Sequence, residues 1–244
     1  MDWTLQFLIG ASISAAVAAA AVRLKALTVS GALAACLVGT LLFACGGWSW
    51  LALVGAFFFS ASALTAWTPR GGGIRRRSLD REGRHWDQVA ANGGIAAVAA
   101  AIHCLFGWAS AFGIAAGAVA AATADTWGTE VGRWSAQPPR LITSGASVPA
   151  GTSGGVTIIG TIAEFGGALL IGIVAAALAA PAGQAVPTRL FAATVLAGFS
   201  AALLDSVLGA TVEGRVRWVT NSVTNVLATA WGAGMMLAVS RWWR

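Results

Sequence analysis

Side chains able to do chemistry are few in this chain, and they gather at the ends of apolar runs. Asp125, Thr129 and Glu130 close one run, and Asp205 and Glu213 close another. Asp87, Gln88 and Asn92 open a third, Asn221 and Asn225 a fourth. A fifth run carries Thr157, Thr161 and Glu164 at i, i+4 and i+7, which is one helical face. Between the first and the fifth lie Arg133, Arg140 and the turn Gly151-Thr152-Ser153-Gly154-Gly155. A Gly-rich turn with Ser or Thr can wrap backbone N–H groups around phosphate oxygens. This one leads straight into an apolar run, whose helix N-terminus favours anions. Mg²⁺ usually takes one or two protein carboxylates and completes its shell with substrate phosphates and water. The pattern therefore points to metal-assisted phosphate chemistry, although ordinary helix caps and a flexible loop would use the same residue types. No GxxxxGK[ST] is present, so a P-loop fold is not indicated. Asp125 and Glu130 are five residues apart, roughly 140° around an ideal helix. Either the helix breaks near Gly128 or the two acids serve different roles.

The elements that must position these residues are membrane spans. Of the 244 residues, 57% are hydrophobic and 10% charged, with a mean hydropathy of +0.76. Soluble domains carry about 25% charged residues. Eight apolar segments run approximately over 3–21, 27–45, 48–67, 90–106, 108–123, 155–180, 188–210 and 220–240, each near the roughly 20 residues a span requires. The expected fold is an all-α helical bundle of about eight spans, forming a single transmembrane domain over 1–244. The first run is preceded by Asp2 and no basic residue, so it reads as a retained helix. Cys36, Cys45 and Cys104 sit in or beside apolar segments and read as free thiols.

Charge sets the expected topology. Arg23, Lys25, Arg70, Arg75, Arg76, Arg77, Arg81, Arg84, Arg133, Arg140, Arg215 and Arg217 fall in loops on one side, against Arg189, Arg241 and Arg244 on the other. The positive-inside rule puts both termini outside and the chemistry-bearing ends in the cytoplasm. The net charge of +6 is thus a topology signal, and nucleic-acid binding is not expected. The two long loops, about 70–89 and 125–154, fall on the cytoplasmic side. The first holds Gly71-Gly72-Gly73 and Arg75-Arg76-Arg77, suited to lipid headgroups or to phosphate. Small residues such as Gly113 and Gly117 let helices approach closely. With a helix starting near 155, Glu164 would lie roughly 14 Å deep. The outer halves of the helices offer little beyond His103, Thr194 and Ser200. A one-sided pocket suits an enzyme at the inner leaflet, whereas a transporter needs polar groups near the midplane and a path to both sides.

Six stretches recur in order: Lys25 to Gly31, Asp87 to Gly93, Asp125 to Glu130, Gly151 to Gly155, Asp205 to Thr211, and Asn221 to Asn225. Together they resemble the transmembrane family that includes the plant and cyanobacterial phytyl-phosphate kinase. That family is distantly similar to CTP-dependent dolichol and phytol kinases and to phosphatidate cytidylyltransferase. The resemblance covers about 25–230. It implies phosphoryl transfer from a nucleoside triphosphate, with CTP expected, to a prenyl monophosphate, with Mg²⁺ as cofactor. Carried onto this sequence, it implies Asp125, Glu130 and Asp205 as catalytic and metal-site residues. Gly151, Thr152, Ser153, Gly154 and Gly155, with Arg133, Arg140 and Lys25, would bind phosphate or nucleotide, and Asn92, Asn221 and Asn225 would complete the pocket. Two departures stand out: Glu164 replaces an expected small residue, and the Trp127-Gly128 pair differs from the commoner small residues.

The leading expectation is a prenyl-phosphate kinase of the cytoplasmic membrane, acting at the inner leaflet among membrane lipids; homodimerisation is open. A cytidylyltransferase releasing pyrophosphate from CTP, a lipid or anion transporter, and a structural membrane component are the alternatives.

Overall fold

A computed structural model of the chain describes residues 2–68, 83–179 and 187–240. These form eight long helices: α1 Trp3–Arg23, α2 Val29–Gly46, α3 Trp48–Trp67, α4 Trp86–Phe106, α5 Ala111–Gly132, α6 Ile158–Ala179, α7 Pro187–Thr211 and α8 Asn221–Ser240. Seven are long and apolar enough to cross a membrane, and α5 is not among those seven. The chain is a polytopic helical membrane protein, as its composition requires. Two short antiparallel strands, β1 Arg140–Leu141 and β2 Gly155–Val156, interrupt the helical pattern.

The helix α5 explains its own modest apolarity. Sixteen of its 22 residues are buried, against four of the 21 in α1, so protein surrounds it where lipid surrounds the others. It packs on α3, α4, α6, α7 and α8. Five neighbours can gather only around a slender helix, and the alanine-rich stretch from Ala111 to Ala124 supplies one. At its centre a Cβ on Gly117 would stand 2.3 Å from the Gly232 carbonyl oxygen, so α5 and α8 meet backbone to backbone. Gly113 is buried on the same helix.

The boundaries of α5 differ from the sequence expectation, which ended the segment near 123 and began a loop at 125. The helix instead continues through Thr126, Gly128 and Gly132 to the edge of the bundle. Tertiary packing overrides the weak propensity of these residues. Trp127 Nε1 donates to Ser60 Oγ on α3 at 3.2 Å, and a Cβ on Gly132 would meet Thr157 Oγ1 at 3.2 Å. Between α5 and α6 the chain forms an ordered lobe. The strand pair, the Val148–Pro139 bond and the Ile142–Gly154 bond fold 139–156 back on itself. Thr157 then starts α6, its Oγ1 accepting from Gly160 N at 3.1 Å.

The stretch from Lys25 to Gly31 clamps the chain entering α4. Thr28 Oγ1 caps α2 by accepting from Gly31 N at 3.1 Å, and Thr28 N donates to the Arg84 carbonyl at 3.1 Å. Arg84 N returns a bond to the Ala26 carbonyl at 3.0 Å. The contact requires glycine at 31, where a Cβ would lie 2.0 Å from the Arg84 oxygen. Gly71 to Gly73 and Arg75 to Arg77 lie outside the described residues.

Candidate active site

Five helix termini converge at one end of the bundle. Ser222 Oγ donates to Asp87 Oδ2 at 2.6 Å, joining the first turns of α8 and α4. Gly132 and Thr157 join the end of α5 to the start of α6. The Gly151–Gly155 turn docks on the end of α7, where a Cβ on Gly154 would strike Ala210 at 2.4 Å. Asn92, Asp125, Glu164 and Asp205 each lie six or seven residues inside their helix end, which is roughly 9–10 Å deep. They form one layer. Glu164 is shallower than the sequence suggested because α6 begins at Ile158.

The centre of that layer is a pair of carboxylates. Asp205 on α7 lies within hydrogen-bonding reach of Asp125 on α5 and of Thr224 on α8. With its amide nitrogen turned to face acceptors, Asn225 Nδ2 donates to Asp205 Oδ1 at 3.3 Å and to the Asn221 carbonyl at 3.2 Å. Asn92, Asp125, Asn225, Thr229 and small alanines line a tight crevice beside the pair, too closely packed in this structure to admit a water molecule. Beneath it, Thr229 Oγ1 ties α8 to the Ala91 carbonyl of α4 at 3.0 Å. The charged groups acting on Asp205 are themselves carboxylates, those of Asp125 and Glu213.

Glu164 and Gly128, two separate departures in sequence, are one feature in space. A Cβ on Gly128 would fall 2.4 Å from Glu164 Cγ, so the glycine leaves the notch that the glutamate fills. Glu164 is 7% exposed, its Oε2 is buried with no hydrogen-bond partner, and the charge acting on it is Asp205.

Glu130 belongs to a different cluster, which corrects its place in the expected metal set. Because α5 stays helical, Glu130 turns away from Asp125 towards α3. Its Oε1 accepts from Thr65 Oγ1 at 3.1 Å and its Oε2 from Arg133 Nη1 at 3.2 Å. Arg84 joins this group: its Nη1 donates to Ser62 Oγ at 3.2 Å, its Nη2 to Thr65 Oγ1 at 3.5 Å, and its guanidinium carbon stands 5.9 Å from the centre of the Phe57 ring. Burial lowers the Arg84 pKa below the ordinary arginine value, and the Glu130 charge opposes that shift. The second of the two alternatives for Asp125 and Glu130 therefore holds. They serve different surroundings.

The remaining expected residues divide. Asn92 and Asn225 reach the carboxylate layer, and Asn221 contributes its backbone carbonyl. Arg133 is engaged with Glu130. Arg140 is exposed in the lobe and donates to the Gly145 carbonyl at 2.8 Å. Lys25 is exposed on the α1–α2 turn with φ +59. In the glycine turn, Gly151 and Gly154 have φ +88 and +74, Thr152 Oγ1 donates to the Pro149 carbonyl, Gly155 N donates to the Thr152 carbonyl and Ser153 is half-buried. Gly154 thus has a structural requirement of its own. Sequence reasoning passed over Arg84, Thr65, Ser222 and Thr224 as site residues. Arg84 looked like one loop arginine among many, while polar crowding at the start of α8 was the available signal for the other end.

Oxygen donors suit a hard cation such as Mg²⁺. Among the described residues no three His, Cys, Asp or Glu side chains group to hold one ion. A cation at this layer would therefore take two carboxylates, Asp125 and Asp205.

A family model described as integral membrane protein DUF92 matches residues 12–233. The chain belongs to this family. All six recurring stretches fall inside the match, and the resemblance read from them holds at the level of family. The DUF92 chain is 33% identical over 226 residues to Protein PGR of Arabidopsis thaliana, covering 82% of this chain and 77% of that protein. It is 30% identical over 224 residues to an uncharacterized membrane protein of Synechocystis, covering 88% and 83%. With an uncharacterized membrane protein of Methanocaldococcus jannaschii it shares 34% identity over 158 residues, covering 65% and 63%. No solved structure matches it.

Proposed function

We propose that this DUF92 protein is a nucleotide-dependent kinase of a prenyl monophosphate, acting at the cytoplasmic face of the membrane. One observation carries the reading: Asp125 and Asp205 adjoin at a common helix-end layer, inside a membrane bundle, and the charges acting on Asp205 are carboxylates. Such an arrangement suits Mg²⁺ and the phosphates it brings. The N-terminal ends of α4, α6 and α8 direct backbone N–H groups towards the same end of the bundle and favour anions there.

In this reading an oxygen of the prenyl phosphate forms a bond to the terminal phosphorus of the nucleotide as the bond to the nucleoside diphosphate breaks. The products are a prenyl diphosphate and a nucleoside diphosphate. Mg²⁺ at Asp125 and Asp205 would neutralise charge on the transferred group. Asn225 holds Asp205 in orientation, and Asn92 lines the crevice beside it, where it would hydrogen-bond phosphate once the site opens. The acceptor is a phosphate monoester, mostly ionised near neutral pH, so no strong general base is needed. The Glu130–Arg84 cluster, with Arg133, anchors the start of α4 to the end of α5, while Arg140 in the lobe would add positive charge for an incoming phosphate. The prenyl tail lies between helices.

The test is product analysis by mass, using protein purified in detergent with Mg²⁺, a prenyl monophosphate and CTP or ATP in turn. A prenyl diphosphate with the nucleoside diphosphate supports the kinase. A CDP-lipid with pyrophosphate moves the chemistry to cytidylyl transfer. No turnover across several chain lengths and both nucleotides overturns the enzyme reading in favour of transport.

A further inference from the structure

The three cysteines take no part in the reading above, yet two of them meet. Cys45 on α2 and Cys104 on α4 lie within hydrogen-bonding reach of each other. The packing of the two helices brings them there. At the site end, Gly31 of α2 packs on the Arg84 carbonyl just ahead of α4. Further along, a Cβ on Gly93 would stand 3.1 Å from Val38 Cγ1. Gly31, Val38 and Cys45 recur every seven residues, and Gly93 and Cys104 are eleven apart. Either interval returns to the same helix face within roughly 20°. The stripe that joins α2 to α4 at Val38 and Gly93 therefore ends with two thiols face to face. Cys36 stands nine residues before Cys45, on the opposite face of α2.

Both thiols sit at helix ends. Cys45 is half-buried beside the last residue of α2, and Cys104 is exposed two residues before the end of α4. This is the end of the bundle opposite the carboxylate layer, where an oxidant in solution can reach them. We propose that Cys45 and Cys104 form a reversible disulfide that ties α2 to α4. The other end of the pair is already held by the bonds between Thr28, Ala26 and Arg84, so the link would fix α4 at both. Oxidation would proceed by exchange with a disulfide supplied from solution. One thiolate attacks it, forming a mixed disulfide and releasing one thiol; the second thiolate then closes the Cys45–Cys104 bond and releases the other. The chain gives up two S–H bonds and two electrons, and the oxidant leaves as two thiols. In the topology proposed above this end faces away from the cytoplasm, the side on which disulfides persist. The link itself does not depend on the kinase reading.

The test treats the reduced full chain in detergent with oxidised glutathione, blocks the remaining thiols with a maleimide, and maps the cysteine peptides by mass. The expected product runs as a single chain on a non-reducing gel. It yields a linked Cys45–Cys104 peptide, lighter than its two halves by two hydrogen atoms and released by dithiothreitol, with Cys36 carrying the maleimide. Cys45→Ser and Cys104→Ser should each abolish the link, and Cys36→Ser should keep it. Thermal unfolding confirms that each reduced variant is folded before it is oxidised. Glutathione left on Cys104 without a link, a link to Cys36 or to a second chain, or maleimide on all three thiols would each overturn the inference. Prenyl diphosphate formation is assayed on the reduced protein, so none of these outcomes bears on the kinase reading.

Discussion

Asp125 and Glu130 stand on one unbroken helix, five residues apart, and the molecule treats them in opposite ways. Glu130 faces α3 and meets Thr65, Arg133 and the nearby Arg84, so its charge is balanced by the chain itself. Asp125 faces Asp205 across the α5–α7 contact. An acid paired in the way of Glu130 serves the packing of the chain. Two adjoining acids inside a membrane bundle disfavour a second negative charge, and a bound cation would relieve that repulsion. The separation follows from helix geometry. A helix kinked at Gly128 would have put both acids in one place, and the packing of α5 between α3 and α6 prevents that kink.

Substitutions that remove one side and spare the other break this comparison. The largest effect is expected for Asp125→Asn, which should lower prenyl diphosphate formation roughly 10³-fold, the scale of losing a preorganised electrostatic contact. Its melting temperature should stay level or rise, since one of two facing acids is gone. Glu130→Ala should do the reverse. It removes the bonds from Thr65 and Arg133 and the charge facing Arg84, and the loss is expected to be about 2 kcal/mol of stability by denaturant titration, with turnover per folded molecule much less changed than in Asp125→Asn.

Gly128→Ala comes next, at about 1–2 kcal/mol, because its Cβ would overlap Glu164 Cγ. In a Glu164→Ala background the same change should cost markedly less, and a double-mutant cycle measures the coupling. Additive effects would show that the notch and the acid are unrelated. Arg140→Ala should move stability by less than about 0.5 kcal/mol, as its side chain is exposed and bonded only within the lobe. Any larger effect on nucleotide affinity, read from the KM for CTP, would place the lobe over the site.

Much of this architecture was legible from the chain alone, for identifiable reasons. Apolar runs of span length, broken by arginine-bearing loops, leave little choice but a helical membrane bundle. Polar residues at helix ends on one side marked a candidate site, and the structure brings Asn92, Asp125, Asp205 and Asn225 together there. The end of α5 was not legible, because Thr126, Gly128 and Thr129 read locally as a terminus and are helical through contacts with Ser60, Thr157 and Gly160. Nor was the partnership of Glu130 with Arg84, which are 46 positions apart and related only through the fold. The Gly128–Glu164 fit was visible as two oddities, but their complementarity needed three dimensions. The glycine turn looked like a phosphate cradle, and in the structure Gly154 is also required for its close approach to α7.

The most direct test of the account is the metal dependence of turnover in the wild-type protein. Prenyl monophosphate and CTP would be incubated with purified protein after chelation by EDTA, and again after Mg²⁺ is restored. Prenyl diphosphate that disappears with EDTA and returns with Mg²⁺ is the predicted result. Turnover that persists without a divalent cation would contradict the claim that the adjoining acids, Asp125 and Asp205, are the working part of this membrane protein.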